Sequence, residues 1–245
     1  GGAVNFENIN GSGGADIIRG DIGNNTLKGD DGDDTIYGGA GDDALAGWHM
    51  NVGTTAASFD DDQMKDNSTN SDRDSNDSLY GEAGDDLLVG TYGNNTLDGG
   101  TGADTIYSGS GSDTIVVRSG SGGSTLATAD TITDFTDGAD VLGLDDGLLY
   151  SDLTIVQSGS DTVISITSSS EYLAILTGIT ASNINYFDFI SVATGNQSFT
   201  GTTGDDIFIG AAGVDTITTN TGVDIVLGAS GNDAITIDGT GNKTI

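Results

Sequence analysis

Residues 29–47 read GDDGDDTIYGGAGDDALAG. Glycine and aspartate fill most of the stretch, and each half carries one large apolar residue in the same phase, Ile36 and then Leu45. Aligned on the aspartates, the chain falls into a nine-residue register. Residues 11–46 hold four copies, GSGGADIIR, GDIGNNTLK, GDDGDDTIY and GGAGDDALA. Residues 72–116 hold five, DRDSNDSLY, GEAGDDLLV, GTYGNNTLD, GGTGADTIY and SGSGSDTIV. Residues 201–236 hold four more, GTTGDDIFI, GAAGVDTIT, TNTGVDIVL and GASGNDAIT, followed by a degenerate DGTGNKTI at 238–245. Position 4 is glycine in twelve of the thirteen copies, Ser75 being the exception. Position 6 is aspartate except at Asn25 and Asn95, and position 8 is always apolar.

A unit of this kind reads as six residues of turn and three of strand. Side chains alternate along a strand, so a three-residue strand aims its middle residue one way and its flanks the other. Stacked copies then bury a column of Ile, Leu and Val, while glycine lets the turn take positive φ and bring its carbonyls together. The composition demands something more. The chain has 38 acidic and 6 basic residues, a net charge of −32, with 41 glycines and only 35% hydrophobic residues. Low hydrophobicity with high net charge is also the signature of disorder, and disorder is the expectation for the chain without cations. The regular phase argues for a folded state in which cations neutralise the acid. A hard cation such as Ca2+ takes six to eight oxygens from carboxylates and carbonyls, and the turns offer both.

The pattern is G-G-x-G-x-D-x-U-x, and over these thirteen copies the chain resembles the RTX family of calcium-binding repeats. The resemblance implies an all-β fold of parallel β-roll, in which successive strands fall on alternate sides of a flattened coil and each turn meets the turn eighteen residues on. It thereby implies ligand pairs: Asp16 with Asp34, Asn25 with Asp43, Asp77 with Asn95, Asp86 with Asp104, Asn95 with Asp113, Asp206 with Asp224, and Asp215 with Asp233. An asparagine keeps an oxygen but loses a charge, so these sites are expected to bind more weakly. Val214 and Val223 stand beside the aspartate in the second array, where fewer or weaker ions are expected. Position 5 (Asp33, Asp42, Asp85, Asp205) reads as a solvated acidic face.

Three regions follow: 1–116, a first β-roll with an insertion at 47–71; 117–198, a β-rich module; and 199–245, a second β-roll cut off within a repeat. If the coil continues across the insertion, Asp34 meets Asp77 and Asp43 meets Asp86. The insertion holds Trp48 and His49, the only Trp and His of the chain. Trp48 is expected to cover an open end of the apolar column; His49, without Cys or His partners, makes no zinc site. Asp60, Asp61 and Asp62 read as an exposed acidic loop. In 117–198 the runs DTITDF (130–135), DVLGL (140–144), LTIVQ (153–157), TVISIT (162–167), YLAIL (172–176) and YFDFI (186–190) read as strands. Their order resembles the strand-rich segment that follows RTX repeats in secreted proteins, which would cap the coil. Asp130, Asp134, Asp137 and Asp140 gather near the junction, either as ligands or as a solvated turn.

Several functions are disfavoured. No basic patch exists for nucleic acid, and no apolar run is long enough to insert in a membrane. The chain has no cysteine and hence no disulfide framework. No H-E-x-x-H, G-K-[ST] or supported Ser–His–Asp set is present, so no enzyme is expected. The chain starts without methionine and shows no ordinary signal peptide, and is read as a piece of a longer protein. Family resemblance implies type I secretion to the medium or cell surface and folding on extracellular calcium. A surface-layer or adhesin building block is the leading expectation, with self-association or cell-surface polysaccharide as partners. The alternative is a non-catalytic secretion and folding region of an RTX exoenzyme or toxin. A ladder of Ser78, Thr96 and Thr114 suited to ice or surface binding is a third, weaker idea, since Thr is simply a good strand residue.

Overall fold

The computed structural model describes residues 8–48 and 75–245. His49, Asp60, Asp61 and Asp62 fall outside them. Among the described residues there is no α-helix; the elements are short strands and three single turns of 3-10 helix.

Strands from alternate copies build two facing sheets. One contains β1 (Asn8–Asn10), β3 (Thr26–Lys28), β5 (Ala44–Ala46), β7 (Leu87–Val89) and β9 (Thr105–Tyr107), all parallel. The other contains β2 (Ile17–Arg19), β4 (Thr35–Ala40), β6 (Ser78–Ala83), β8 (Thr96–Asp98) and β10 (Thr114–Val117), likewise parallel. Register follows the repeat phase: Ile18 pairs with Ile36, Ile36 with Leu79, and Leu79 with Leu97. Position 8 therefore stacks on itself and points between the sheets. Leu27, Ile36, Leu79, Leu88, Leu97, Ile106 and Ile115 are fully buried in one cluster. The core is one apolar side chain deep per strand, which is all that a three-residue strand can contribute.

Strands of the middle region prolong both sheets. β11 (Asp130–Ile132) pairs parallel with β9, and β12 (Val141–Leu144) with β10. The first sheet then closes through β13 (Leu153–Ser158), β14 (Asp161–Ile166) and β15 (Tyr172–Leu176), an antiparallel trio whose β15 lies parallel to β11. The second ends on β16 (Phe189–Ser191), parallel to β12. The apolar cluster passes without interruption from the repeats into Ile132, Phe135, Leu142, Leu173, Leu176 and Phe189.

The second array repeats the arrangement on a smaller scale. β17 (Ser198–Thr200), β19 (Thr216–Thr218) and β21 (Ala234–Thr236) form one parallel sheet; β18 (Ile207–Ile209), β20 (Asp224–Leu227) and β22 (Lys243–Thr244) form the other. Phe208, Ile217 and Val226 are its buried column. Ile207, Ile209 and Leu227 pack back onto the main core.

Trp48 does not cover an end of the column. It stands half-buried at the side of the turns, where its Nε1 donates to Asp31 at 2.8 Å and its ring meets Tyr92 edge-on at 6.4 Å. The coil is continuous at that point, so it has no open end to cover. Ser78, Thr96 and Thr114 do align across β6, β8 and β10.

Truncating one inward residue should cost far more than truncating its outward neighbour. Leu97→Ala is expected to destabilise the calcium-loaded protein by about 2–5 kcal/mol and Thr96→Ala by no more than about 0.5 kcal/mol. Urea denaturation followed by circular dichroism checks the contrast.

Candidate metal centre

The position-6 carboxylates form a column along the turns. Each one reaches back to the coil before it. Asp16 N donates to Asp34 Oδ1 at 2.9 Å, Asn25 N to Asp43 at 2.7 Å, Asp77 N to Asn95 at 2.9 Å, and Asp86 N to Asp104 at 2.8 Å. Asn95 N donates to Asp113 at 2.7 Å, Asp206 N to Asp224 at 3.0 Å, and Asp215 N to Asp233 at 3.0 Å. These are the seven pairs anticipated at eighteen residues. The same bond spans the insertion, from Asp34 N to Asp77 Oδ1 at 2.9 Å and from Asp43 N to Asp86 Oδ1 at 2.6 Å. One carboxylate oxygen per turn thus satisfies a backbone donor of the neighbouring coil.

The second oxygen distinguishes two kinds of turn. In the leading copies of each array it accepts the position-2 N–H of its own turn: Ser12 to Asp16 at 2.7 Å, Thr202 to Asp206 at 2.9 Å, and Ala211 to Asp215 at 2.9 Å. Further along, position 2 takes a positive φ, at Asp30 (77°), Glu82 (75°) and Thr91 (75°) as well as at Gly39, Gly100 and Gly109. A left-handed non-glycine residue carries local strain, the kind that persists at functional sites. The Oδ2 atoms of Asp34, Asp43, Asp77, Asp86, Asp104 and Asp113 are buried and have no hydrogen-bond partner. An unpaired buried carboxylate oxygen is costly, so a whole column of them calls for a ligand.

The turn also leaves room for one. A Cβ at Gly38 would sit 2.5 Å from Asp43 Oδ2 and 2.7 Å from the Gly81 carbonyl. At Gly81 it would overlap Asp86 Oδ2 and the Gly99 carbonyl. Position 1 is glycine in ten of the thirteen copies, and at Gly38 and Gly81 carboxylate and carbonyl oxygens from two coils converge there. Among the described residues no three of His, Cys, Asp and Glu cluster as a metal site; the oxygen supply here is a carboxylate joined to turn carbonyls, a donor set that suits a hard cation such as Ca2+.

The asparagines depart from expectation. Asn95 Oδ1 is used by Asp77 N, and its Nδ2 donates to the Tyr92 carbonyl at 3.1 Å and the Gly93 carbonyl at 3.4 Å. It offers the turn a donor rather than an oxygen. Asn25 Oδ1 accepts from Asp21 N at 2.7 Å. Position 5 is exposed but not merely solvated. Asp33 Oδ1 accepts from Asn76 N at 2.8 Å, Asp85 Oδ1 from Ala103 N at 2.9 Å, and Asp205 Oδ1 from Val223 N at 2.8 Å. In this outer ladder the later coil donates to the earlier one, opposite to position 6. Val214 and Val223 are exposed members of that ladder and do not face the Oδ2 column. What sets the second array apart is that Asp206 and Asp215 are already partnered by their own turns.

Three further residues join the column, two that the sequence leaves open between ligand and solvated turn and one that it does not signal. Asp104 N donates to Asp130 Oδ1 at 3.1 Å and Asp113 N to Asp140 Oδ1 at 3.0 Å, so two aspartates of the middle region continue the column at spacings of 26 and 27 residues. Their only signal is an aspartate two places before a buried Ile132 or Leu142. Asp134 instead accepts from Ser108 N and Gly109 N at 2.8 and 3.0 Å, and Asp137 is exposed. The third is Gln197, whose N–H donates to Asp215 Oδ1 at 2.7 Å. It occupies position 6 of an unrecognised copy at 192–200.

Burial pushes the column's carboxyls up, to about 6 at Asp34 and Asp43 and about 7 at Asp77, Asp86 and Asp113. Burial and the Asp104 charge push Asp130 up as well. The unfolded value is about 3.9, so the folded coil without metal holds more protons than the unfolded chain. This contribution is fully present below about pH 4 and is lost as pH rises through about 6 to 7. With divalent cations chelated, the far-UV β signal is therefore expected to be stronger, and the urea midpoint higher, at pH 4.5 than at pH 8. A midpoint that rises with pH contradicts the burial of the column.

The profile of the RTX calcium-binding nonapeptide repeat (4 copies) matches residues 8–47, 72–91, 89–122 and 200–235, together just over half of the chain. No curated protein sequence matches. Among solved structures, the chain is similar to the extracellular lipase LipA from Serratia marcescens, at 20% identity and a TM-score of 0.35, covering 73% of this chain and 38% of the lipase. Two subunits of the Azotobacter vinelandii mannuronan C5-epimerase are also similar. AlgE6R3 is 20% identical, with a TM-score of 0.30 and coverage of 74% of this chain and 80% of that one. AlgE6R2 is 23% identical, with a TM-score of 0.37 and coverage of 71% and 91%. The chain thus spans less than two fifths of the lipase's length. By its repeats, the chain belongs to the RTX calcium-binding nonapeptide family.

Proposed function

We propose that the chain is a calcium-binding β-roll segment of a secreted bacterial cell-surface structural protein, of surface-layer or adhesin type, which folds on reaching extracellular calcium. One observation carries the calcium part: the buried, partnerless Oδ2 atoms of Asp34, Asp43, Asp77, Asp86, Asp104 and Asp113, the first five each beside a turn glycine. These residues, with turn carbonyls, would hold the ions, and Asp16, Asn25, Asn95, Asp206, Asp215, Asp224 and Asp233 stand at the same position of their turns. Bound calcium supplies the positive charge that a chain of net charge −32 lacks. A ligand that binds only the folded state stabilises it by mass action, so the chain would be loose where calcium is scarce and ordered where it is plentiful. The middle region would cap the first coil by prolonging its sheets. The segment itself is read as non-catalytic.

The structural role is supported by repetition: two arrays, the second with its own buried column and with Ile207, Ile209 and Leu227 packed on the main core, make a repeated scaffold. Self-association or cell-surface polysaccharide would be its partners. The second reading is the non-catalytic folding region of an RTX exoenzyme or toxin. Calcium titration of the chelated protein, followed by circular dichroism and light scattering, separates the two. A cooperative gain of β signal followed by reversible scattering is expected for the structural unit. A gain without scattering favours the exoenzyme region, and no gain overturns the calcium reading.

Asp86→Asn tests the column directly. The amide can donate to turn carbonyls as Asn95 does, so the chelated protein should lose little stability, while calcium binding at that turn weakens by about tenfold or more through loss of a charge. Isothermal titration calorimetry measures the loss.

A further inference from the structure

In the second array the column meets a cation of its own. β22 pairs with β20 so that Lys243 lies opposite Asp224, the place that position 6 of the next copy takes elsewhere. The phase reaches it late: an extra residue after the copy at 228–236 makes the spacing nineteen instead of eighteen. Lys243 Nζ stands 2.8 Å from Asp224 Oδ2 and donates to the Gly222 carbonyl at 2.7 Å. Both side chains are buried, 6% exposed for Lys243 and 0% for Asp224. Gly222 is the position-4 glycine of the turn whose position 6 is Asp224. The ammonium thus touches a carboxylate Oδ2 and a turn carbonyl, the two kinds of oxygen that converge in the other turns. Asp224 N, with no carboxylate opposite, donates to the Asn242 carbonyl at 3.1 Å.

We infer that Lys243 is a tethered cation that replaces calcium at the turn of Asp224, so that this coil is held without metal. The inference rests on the calcium reading of the other turns. An ammonium has one charge, three donors and a fixed leash. It holds a positive charge 2.8 Å from the buried Asp224 Oδ2, which has no hydrogen-bond partner, at any calcium concentration, whereas the turns of Asp34, Asp43, Asp77, Asp86, Asp104 and Asp113 depend on the ion. The array would then contain one metal-independent coil, a site from which order can spread when calcium arrives, since repeat arrays propagate from whichever unit is already folded.

Hydrogen exchange of the full chain in chelator tests this, with wild type compared against Lys243→Met. In wild type, residues 224–227 are expected to stay protected while 78–89 exchange freely. In Lys243→Met, 224–227 should exchange at least about tenfold faster. Native mass spectrometry supplies a second, independent readout. Lys243→Asp, which restores the repeat's own residue, should bind one more calcium ion than wild type. Equal exchange of 224–227 in wild type and Lys243→Met overturns the inference, and so do equal ion counts for two calcium-loaded proteins. If neither protein binds calcium, the reading of the other turns fails, and the exchange comparison, run wholly in chelator, still decides the role of Lys243.

Discussion

Everything in this molecule depends on stacking like charges. Most turns place a carboxylate in a column with others, and in the middle of the first array one oxygen is spent on the neighbour's backbone while the other is buried. Coulomb repulsion and desolvation both oppose that arrangement, and the core available to offset them is a single file of Ile, Leu and Val. A wider apolar core could have tolerated the cost. Three-residue strands cannot build one, so the fold needs positive charge from outside the carboxylate set.

Two kinds of turn answer that need from within. Asp16, Asp206 and Asp215 turn to a backbone N–H of their own turn. Asn95 gives up the charge and donates to its own carbonyls. The central carboxylates of the first array do neither, and the turns of Asp34 and Asp86 hold Asp30 and Glu82 in left-handed conformations that turn the nearest donor away. Strain and unsatisfied oxygens fall in the same turns, which is the arrangement expected where binding energy is to be drawn from a ligand.

Much of this was legible in the residues. A nine-residue phase with an invariant apolar eighth position contains the strand, its inward face and the column; the eighteen-residue pairing then follows from two alternating sheets. What could not be read depends on side-chain direction or on broken phase. Asn95 looks like an oxygen ligand by composition, and only the backbone donor of Asp77 forces its nitrogen toward the turn. Asp130 and Asp140 keep the aspartate-before-strand phrase but sit beyond turns of different length. Gln197 lacks the acid that makes a copy visible. Position 5 looks like solvated surface because exposure says nothing about backbone donors on the neighbouring coil.

The bond from Asp34 to Asp77 has the length of the bond from Asp16 to Asp34, although 43 residues separate the first pair and 18 the second. The coil therefore recognises the geometry of the adjoining turn and is indifferent to how much chain lies between. Closing a longer loop costs only a slowly growing entropy. The seam after a position-9 residue is thus a socket. Foreign sequence placed there would be carried on the side of the rod at a pitch set by the coil, and several such seams would space their cargo along one line.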